Sequence, residues 1–251
     1  MQAGEHELMA RVEDRHWWYL GLRDLLGRLL PRALRVERPR VLDAGCGTGA
    51  NLRFVRELLQ PAYLGGFDSS ATALELARAK VPGADLYVSD VCAPEIHAEA
   101  LDLVLSLDVI YIPGAERARA GLERLAERLR PGGLFVFNLP AYRWLYSEHD
   151  VAIHTRQRFT AGDVCGLVGE LGLGLELITY RLCLLFPLVV LARLPRLGRG
   201  RAGTARSDLQ REPGARLNGA LLAVLRAENA GVERGVRWPW GSSVFAIGRK
   251  R

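Results

Sequence analysis

Gly45, Gly47 and Gly49 follow a short apolar run in the segment VLDAGCGTG, residues 41–49. Glycine permits a tight turn and a close approach of a ligand to the backbone, and the helix predicted from residue 50 offers free N–H groups at the same point. The glycine spacing is GxGxG, with Cys46 between the first two, whereas dinucleotide sites usually have GxGxxG. Asp43 precedes the turn, where its carboxylate would repel a pyrophosphate. The segment therefore predicts a cofactor that carries positive charge.

Three further aspartates follow predicted strands. Asp68 lies in GFDSS, 19 residues after Gly49, while Asp90 lies in VSDVC and Asp108 in SLDVI. Ligands of open α/β sheets bind at the carboxyl ends of the strands. We therefore expect Asp43, Asp68, Asp90 and Asp108 to cluster at one edge of a sheet.

The elements that must position these residues alternate along the chain. Predicted strands cover 40–44, 62–67, 85–89, 101–107, 134–139, 173–180 and 242–248. Predicted helices cover 5–30, where Pro31 would end the helix, then 50–59, 70–80, 115–130 and 160–172, the last capped by Thr160 with Asp163. Pro131-Gly132-Gly133 is expected to separate the fourth of these helices from its strand. The alternation predicts an α/β, doubly wound, mostly parallel seven-stranded sheet with helices on both faces.

The region 181–241 interrupts this alternation. It begins with an apolar run, becomes rich in Arg and Gly at 196–206, and regains a helical pattern at 217–228. A structureless loop of this length is uncommon in a compact domain, so we expect a partly helical insertion over the strand ends, with 196–214 as its mobile part. The expected division is 1–38 as N-terminal capping helices, 39–180 as the core, 181–241 as the insertion or lid and 242–251 as the last strand.

The nonapeptide 41–49 resembles the first motif of class I S-adenosylmethionine-dependent methyltransferases, which have a Rossmann-like fold. The resemblance implies that Asp43, Gly45, Cys46, Gly47 and Gly49 hold this cofactor. It further implies that Asp68 and Ser69 meet the ribose hydroxyls, that Asp90 and Val91 meet the adenine, and that Ser106, Leu107 and Asp108 line the substrate side. LRPGG at 129–133 resembles the turn before the family's fifth strand.

The segment HWWYLGLR, residues 16–23, resembles one branch of these enzymes. In that branch an aromatic pair and an arginine on a leading helix cap the cofactor, which implies this role for Trp18, Tyr19 and Arg23. The guanidinium of Arg23 would pair with the methionine carboxylate. Alternatively, Trp17 or Trp18 packs in the core, and the sequence does not say which.

A second segment of the same branch resembles NLPAYRWLYSEHD, which is followed by His154, Arg156 and Arg158. The resemblance places Tyr142, His149, Asp150 and His154 beside the methyl acceptor, with His149 and Asp150 as a candidate general base. The alternative is a hydrogen-bonded cluster that only fixes a loop. The chain departs from the family pattern at Tyr111-Ile112-Pro113 and at Gln157, which replaces the first arginine of a pair, so a shared substrate does not follow.

Composition narrows the remaining classes. The formal net charge is +6 and the pI is about 9.4, which can favour nucleic acid, an anionic membrane or an acidic substrate, or can reflect only a bias towards arginine. The four cysteines are scattered, so no metal site is expected, and neither a signal peptide nor a membrane span is apparent, which predicts a cytoplasmic protein.

The apolar run 182–192 with its following arginines could contact a membrane through 182–206 or bind an amphiphilic substrate. The alternative, which we favour, is a lid helix with a solvated basic loop. No nucleic acid is expected, because no basic platform with interleaved aromatic residues appears.

The predicted function is transfer of a methyl group from S-adenosylmethionine to a small-molecule, natural-product, glycan or lipid-linked acceptor, with O-methylation favoured. One alternative is a non-catalytic, methyltransferase-like binding partner. The other is an NAD(P)-dependent oxidoreductase, which the glycine spacing, Asp43 and the scarcity of lysine (Lys80 and Lys250 only) disfavour.

Overall fold

A computed structural model describes residues 3–147, 150–151, 153–193 and 213–251. His149 and the basic stretch 196–206 therefore lie outside the described residues. Within them, no helix is both long enough and apolar enough to cross a membrane.

The described residues form one sheet of seven strands in the order β3-β2-β1-β4-β5-β7-β6. The strands are β1 (Arg40–Ala44), β2 (Tyr63–Asp68), β3 (Asp85–Val88), β4 (Leu101–Leu107), β5 (Leu129–Pro140), β6 (Leu173–Arg181) and β7 (Ser243–Lys250). β7 runs antiparallel to both of its neighbours, while the pairs among β1 to β5 are parallel. The predicted mostly parallel, seven-stranded α/β sheet is confirmed.

Helices cover both faces of this sheet. They are α1 (Ala3–Val12), α2 (Trp17–Ala33), α3 (Ala50–Leu59), α4 (Ala71–Lys80), α5 (Ala115–Glu127), α6 (Ala161–Glu170), α7 (Phe186–Arg193) and α8 (Ala215–Glu233). One apolar core joins α2, α3 and α8 to one face of the sheet, and another joins α5 and α6 to the opposite face. β4 lies between these cores and is buried along its whole length, as expected of a central parallel strand.

The predicted single helix over 5–30 is wrong, because the chain breaks between α1 and α2 at residues 13–16. The side chain of His16 accepts a hydrogen bond from Trp18 N at 3.3 Å and so caps a new helix. Pro31 does not end this helix, because it falls in the last turn and Leu34 N still donates to Leu30 O at 2.9 Å. The predicted cap of Thr160 with Asp163 on α6 is confirmed as a capping box.

Pro131-Gly132-Gly133 lies inside β5 rather than before it, which corrects the expected boundary. Leu101 pairs with Leu129, but Leu103 already pairs with Leu134, so extra residues bulge from β5 at this point. The preceding helix ends at Glu127, three residues earlier than predicted.

The predicted insertion contributes α7 and α8 on either side of 194–212, which is not described. α8 packs along α2, where Asn229 Nδ2 donates to Gly21 O at 2.8 Å. Leu182, Leu185 and Leu225 form a small apolar cluster that Trp17 and Trp18 join. The insertion is thus packed against the N-terminal helices. The division of the chain into four parts stays a prediction.

Candidate functional site

A cavity of about 860 Å³ opens at the carboxyl ends of β1, β2 and β4. Such a volume is typical of sites that enclose a cofactor or a drug-sized ligand. Thirteen of the predicted site residues line it: Trp18, Tyr19, Arg23, Gly45, Cys46, Gly47, Asp68, Ser69, Asp90, Val91, Leu107, Asp108 and Asp150. The sequence therefore located the cavity by its strand ends.

Of the six other predicted site residues, five are described and do not line this cavity. Asp43 and Ser106 are buried, and Gly49 is the N-cap of the helix that follows the glycine turn. Tyr142 instead joins an aromatic cluster, stacked on Tyr180 with a centroid distance of 5.1 Å. His154 is exposed on a turn. His149 lies outside the described residues.

The glycine turn is held by backbone hydrogen bonds from β1 to β2. Gly45 N and Cys46 N both donate to Phe67 O, at 2.8 and 2.9 Å. Gly45 has φ +87°, and a methyl group there would overlap the side chain of Val109. Only glycine satisfies both conditions without strain, so this position is fixed by backbone conformation and by close packing.

Asp68 ties the glycine turn to the next helix. Its carboxylate accepts from Gly47 N at 3.0 Å and from Ser70 N at 2.9 Å. A carboxylate has about four lone-pair sites, so two remain for further donors from the cavity. This arrangement suits a ligand with two adjacent hydroxyl groups.

Asp43 is a buried carboxylate without a partner. It is 1% exposed, and neither of its oxygens has a hydrogen-bond partner among the described residues. Burial, followed by the charge of Asp68, raises its pKa to about 7. A cationic ligand group above the turn would favour the charged form.

Arg23 reaches the same cavity from α2. It is 7% exposed, its Nη2 donates to Glu13 O, and its Nη1 has no partner among the described residues. Burial lowers its pKa, although a guanidinium stays protonated at neutral pH. An unpartnered buried guanidinium nitrogen in a cavity suits a ligand carboxylate.

The sequence did not predict the role of Glu13. Its carboxylate accepts from Thr48 Oγ1 at 2.6 Å and pairs with Lys80, so it fastens the break between α1 and α2 onto the glycine turn. Glu13 is 4% exposed. A buried charge must be paired, but only the tertiary structure shows this pairing.

Asp90 and the tryptophans complete this end. Asp90 Oδ1 accepts from Cys92 N at 2.9 Å, which fixes the loop after β3. Trp17 and Trp18 both line the cavity and both pack against the apolar cluster of the insertion. The sequence left open which of the two tryptophans packs in the core. In the structure each of them both packs and lines the cavity.

Asp108 lines the cavity in a left-handed conformation, φ +57°. Its Oδ2 accepts from Asn138 Nδ2 at 2.7 Å, and Asn138 Oδ1 accepts from the buried Arg181 at 2.9 Å. Burial raises the pKa of Asp108 to about 7 and lowers that of Arg181 to about 10. A backbone outlier with a shifted carboxyl at a cavity is typical of a functional position.

Asp150 is engaged in an ion pair. Arg158 Nε and Nη2 donate to its two oxygens at 2.8 and 2.9 Å, and Ser147 N donates to Oδ2 at 2.8 Å. Arg158 also donates to Ala141 O at 2.8 Å. Both side chains of the pair are at most 5% exposed. The geometry is that of a bidentate structural clamp for the chain after β5.

A further wall of the cavity comes from residues 111–117 and 155–156, which we call the acceptor wall. Tyr111, Ile112, Pro113, Arg117, Thr155 and Arg156 line the cavity here. Gln157, the departure from the family pattern, accepts a hydrogen bond from Ala115 N at 2.8 Å. An arginine could not accept this bond, so the glutamine caps α5 instead.

The residues present fit S-adenosylmethionine. Arg23 would hold its carboxylate and Asp68 its ribose hydroxyls, while the charge of Asp43 would favour its ammonium. Arg23 and Asp43 both have buried atoms without a hydrogen-bond partner among the described residues. Among the described residues, no group of three His, Cys, Asp or Glu could hold a metal ion.

Comparisons with known proteins find similarity to methyltransferases. The family described as Methyltransferase domain matches residues 41–133. A trans-aconitate 2-methyltransferase of Variovorax paradoxus is 30% identical over 116 residues, which are 46% of this chain and 44% of that protein. An aklanonic acid methyltransferase of a Streptomyces species is 34% identical over 123 residues, 46% of this chain and 54% of that protein. The chain thus spans about half the length, or less, of the curated relatives it matches.

Solved structures share the fold along most of the chain. An S-adenosylmethionine dependent methyltransferase from Mesorhizobium loti is 18% identical, covers 86% of this chain and 92% of its own, and superimposes with a TM-score of 0.55. The predicted class I fold is confirmed. The finer branch that the N-terminal segment suggested stays a prediction.

Proposed function

We propose that the protein methylates a small-molecule acceptor on oxygen with S-adenosylmethionine, starting from the match of residues 41–133 to the family described as Methyltransferase domain. The observation that carries the proposal is the pairing of the glycine turn with two unpartnered buried groups, Asp43 and Arg23 Nη1. Together they complement the ammonium and carboxylate of one amino acid moiety. A pyrophosphate-bearing cofactor would place negative charge against Asp43.

The cofactor, when bound, supplies an activated methyl group on a sulfonium. The residues of this chain bind and orient: Asp68 accepts from the ribose, Arg23 donates to the carboxylate, and Asp90 and Val91 border the adenine. Trp17, Trp18 and Leu182 exclude water from the centre of the cavity. Orientation of this kind can supply about 7–11 kcal/mol of a reaction barrier.

An acceptor hydroxyl must lose its proton when it is methylated. We propose Asp108 as the general base, because it lines the cavity and has a pKa of about 7, close to the operating pH. The sequence favoured His149 with Asp150. Arg158 already engages both oxygens of Asp150, which leaves that carboxylate less suited to activating a base.

The choice of base can be tested once an acceptor is found by screening hydroxyl-bearing small molecules for S-adenosylhomocysteine release. Asp108→Asn keeps the size and the bond to Asn138, and should lower kcat by about 10²–10⁴-fold. His149→Ala should lower turnover less, with little change in cofactor affinity. A large loss in His149→Ala with a wild-type rate in Asp108→Asn would identify His149 as the base instead.

The small-molecule assignment is supported by the relatives, two of which are named for trans-aconitate and aklanonic acid. A lipid-linked acceptor at a membrane surface is the second candidate. Leu184, Leu188 and Leu191 recur at helical spacing and are 48%, 59% and 64% exposed. Sedimentation with phosphatidylglycerol vesicles tests it: binding that Leu188→Ser abolishes supports peripheral contact, and no binding removes it.

The first experiment is thermal denaturation with S-adenosylhomocysteine, S-adenosylmethionine and NAD in parallel. A ligand at a hundred times its dissociation constant adds about 2.7 kcal/mol, or roughly 5–10 °C for a chain of this size. We expect this shift with the two adenosyl ligands and none with NAD. No shift with either adenosyl ligand in a folded sample would overturn the proposal.

The same experiments, followed by an acceptor screen, test the alternative that the protein is a non-catalytic binding partner. A shift with both adenosyl ligands, followed by no S-adenosylhomocysteine release across a broad acceptor screen, would favour a binding partner over an enzyme.

A further inference from the structure

We infer that the acceptor wall binds an anionic head group of the acceptor, while the side chains of the insertion enclose its apolar body. The inference rests on the proposed function and narrows its substrate class to amphiphilic anions. The residues that carry it are Arg117, Arg156 and Thr155.

The structure brings these residues to one wall by backbone hydrogen bonds. Arg156 N and Gln157 N both donate to Tyr111 O, at 2.9 and 3.1 Å. The side chain of Gln157 accepts from Ala115 N at 2.8 Å, which fixes the segment to the start of α5. Arg117 lies in the first turn of α5, so all three residues face the cavity from the same side.

Among the described residues, the two arginines of this wall, which are exposed and also line the cavity, have no carboxylate partner. Within the described residues, no hydrogen bond or ion pair engages the guanidinium of Arg117 or Arg156, although both line the cavity. Arg158, two residues further along, is paired with both oxygens of Asp150. The contrast shows that the fold satisfies the arginine it needs for structure and leaves two cations facing the cavity.

Thr155 gives an independent indication of a ligand. It is 5% exposed, lines the cavity, and its Oγ1 has no hydrogen-bond partner in the described structure. A buried hydroxyl without a partner costs free energy, on the order of 1–3 kcal/mol. A ligand oxygen that accepts from this hydroxyl would remove that cost.

The cofactor cannot satisfy this wall. S-adenosylmethionine has a single carboxylate, and the unpartnered Nη1 of Arg23 meets it from α2. α2 covers one face of the sheet, whereas α5, which carries Arg117, covers the other. The two cationic groups thus meet the cavity from opposite faces, which leaves the second able to bind a different anion.

The remaining wall determines what the rest of the acceptor must be. Leu182, Val189 and Leu221, from the start of the insertion, α7 and α8, line the cavity with Trp17 and Ile153. A head group held by guanidinium and hydroxyl donors therefore continues into an apolar compartment. Carboxylate and phosphate heads share this chemistry.

The experiment uses matched eight-carbon probes on the complex with S-adenosylhomocysteine. Octanoate and octyl phosphate carry the anion, and octanamide has the shape of octanoate without its charge. By isothermal titration at pH 7.5, at least one anion should bind about tenfold or more tightly than octanamide, because hydrogen bonds to charged groups are the stronger ones. Tighter binding of octanoate would indicate an acceptor with a carboxylate head group, and tighter binding of octyl phosphate would indicate one with a phosphate head group. Equal affinity of all three probes would overturn the inference.

Variants assign the preference to the wall. Arg156→Gln and Arg117→Gln should each reduce the anion preference to below about threefold, and Thr155→Val should weaken anion binding several-fold while Thr155→Ser retains it. Arg124→Gln is the matched control, since Arg124, like Arg117, is exposed on α5 but does not line the cavity. A preference that survives Arg156→Gln and Arg117→Gln unchanged would exclude this wall.

The affinity for S-adenosylhomocysteine separates this inference from the proposed function. It should be unchanged within twofold in the Arg156 and Thr155 variants, because we place the cofactor at the glycine turn and not on the segment after β5. Arg117 is left out of this comparison, since it interacts with Cys92 beside the loop that we place at the adenine. If the wild-type protein fails to bind S-adenosylhomocysteine, the proposed function fails. The probes are then titrated into the free protein, where an anion preference that Arg156→Gln removes still supports the wall.

Discussion

The glycine turn and the segment after β5 border the same cavity but are held in place by different means. The backbone N–H groups of the turn position it, since Gly45 N and Cys46 N donate to Phe67 O and Gly47 N donates to Asp68. The segment after β5 has backbone hydrogen bonds to Tyr111 O as well, but it adds a buried side-chain ion pair, Arg158 with Asp150. Few substitutions are therefore tolerated in the glycine turn. In the segment after β5, residues other than Arg158 and Asp150 can change while this ion pair keeps the segment in place. We expect cofactor binding to depend on the first region and acceptor choice on the second.

The largest effect should come from breaking the clamp. Asp150→Asn leaves the buried Arg158 without its charged partner, and we expect the free energy of unfolding to fall by about 3–5 kcal/mol. Urea denaturation measures the loss. Glu123→Gln breaks an exposed ion pair with Arg119 and should cost about 1 kcal/mol or less.

The affinity for S-adenosylhomocysteine, measured below the midpoint of unfolding, sharpens the comparison. It should stay within threefold of wild type in Asp150→Asn, because the glycine turn does not depend on the clamp. A parallel loss of cofactor affinity would show that the two regions are coupled.

Gly45→Ala should break the turn instead. The left-handed backbone costs a non-glycine residue about 1–2 kcal/mol, and overlap with Val109 adds about 1–3 kcal/mol. We expect cofactor affinity to fall about a hundredfold. Gly166→Ala, at a helical position with open space around it, should be neutral or stabilising by roughly 0.5–1 kcal/mol. Titration calorimetry with S-adenosylhomocysteine and scanning calorimetry measure affinity and stability in both variants. Wild-type cofactor affinity in Gly45→Ala would contradict the role of the turn.

Asp68→Ala should weaken cofactor binding more than tenfold without unfolding the protein, because it removes the carboxylate that meets the ribose and steadies Gly47 N. Asp85→Ala removes a carboxylate outside the cavity and serves as control. Titration with S-adenosylhomocysteine measures both. Unchanged affinity in Asp68→Ala would remove Asp68 from the ribose site.

The smallest effect is a dependence on pH. Asp43 has a pKa of about 7, raised by burial, so without ligand most of it is protonated at pH 6 and ionised at pH 7.5. The ammonium of the cofactor favours the ionised form, so affinity should weaken several-fold as the pH falls from 7.5 to 6. Asp43→Asn should bind at pH 7.5 as weakly as wild type at pH 6, with a flat profile. Asp108→Asn should keep the slope, and a flat wild-type profile would show that Asp43 is not linked to binding.

The sequence alone predicted the fold, because strands and helices depend on local patterns, and its prediction for the cofactor site uses the same kind of pattern. Apolar runs define buried strands such as β4, and positive-φ glycines between a strand and a helix define the turn. It misplaced the break between α1 and α2 and the bulge in β5, since the cap by His16 and the shifted pairing of Leu103 arise from contacts that no short pattern contains.

The tertiary structure alone decided which charges are paired. The sequence gives no reason to distinguish Arg156 from Arg158, which are two residues apart. In the structure only Arg158 forms an ion pair with Asp150, while Arg156 lines the cavity. No sequence pattern marked Glu13 as a site residue. In the structure its buried carboxylate binds Thr48 and Lys80, two residues that are far from it in the chain. Pairing depends on distances between side chains that folding brings together, whereas periodicity and glycine spacing are written along the chain itself.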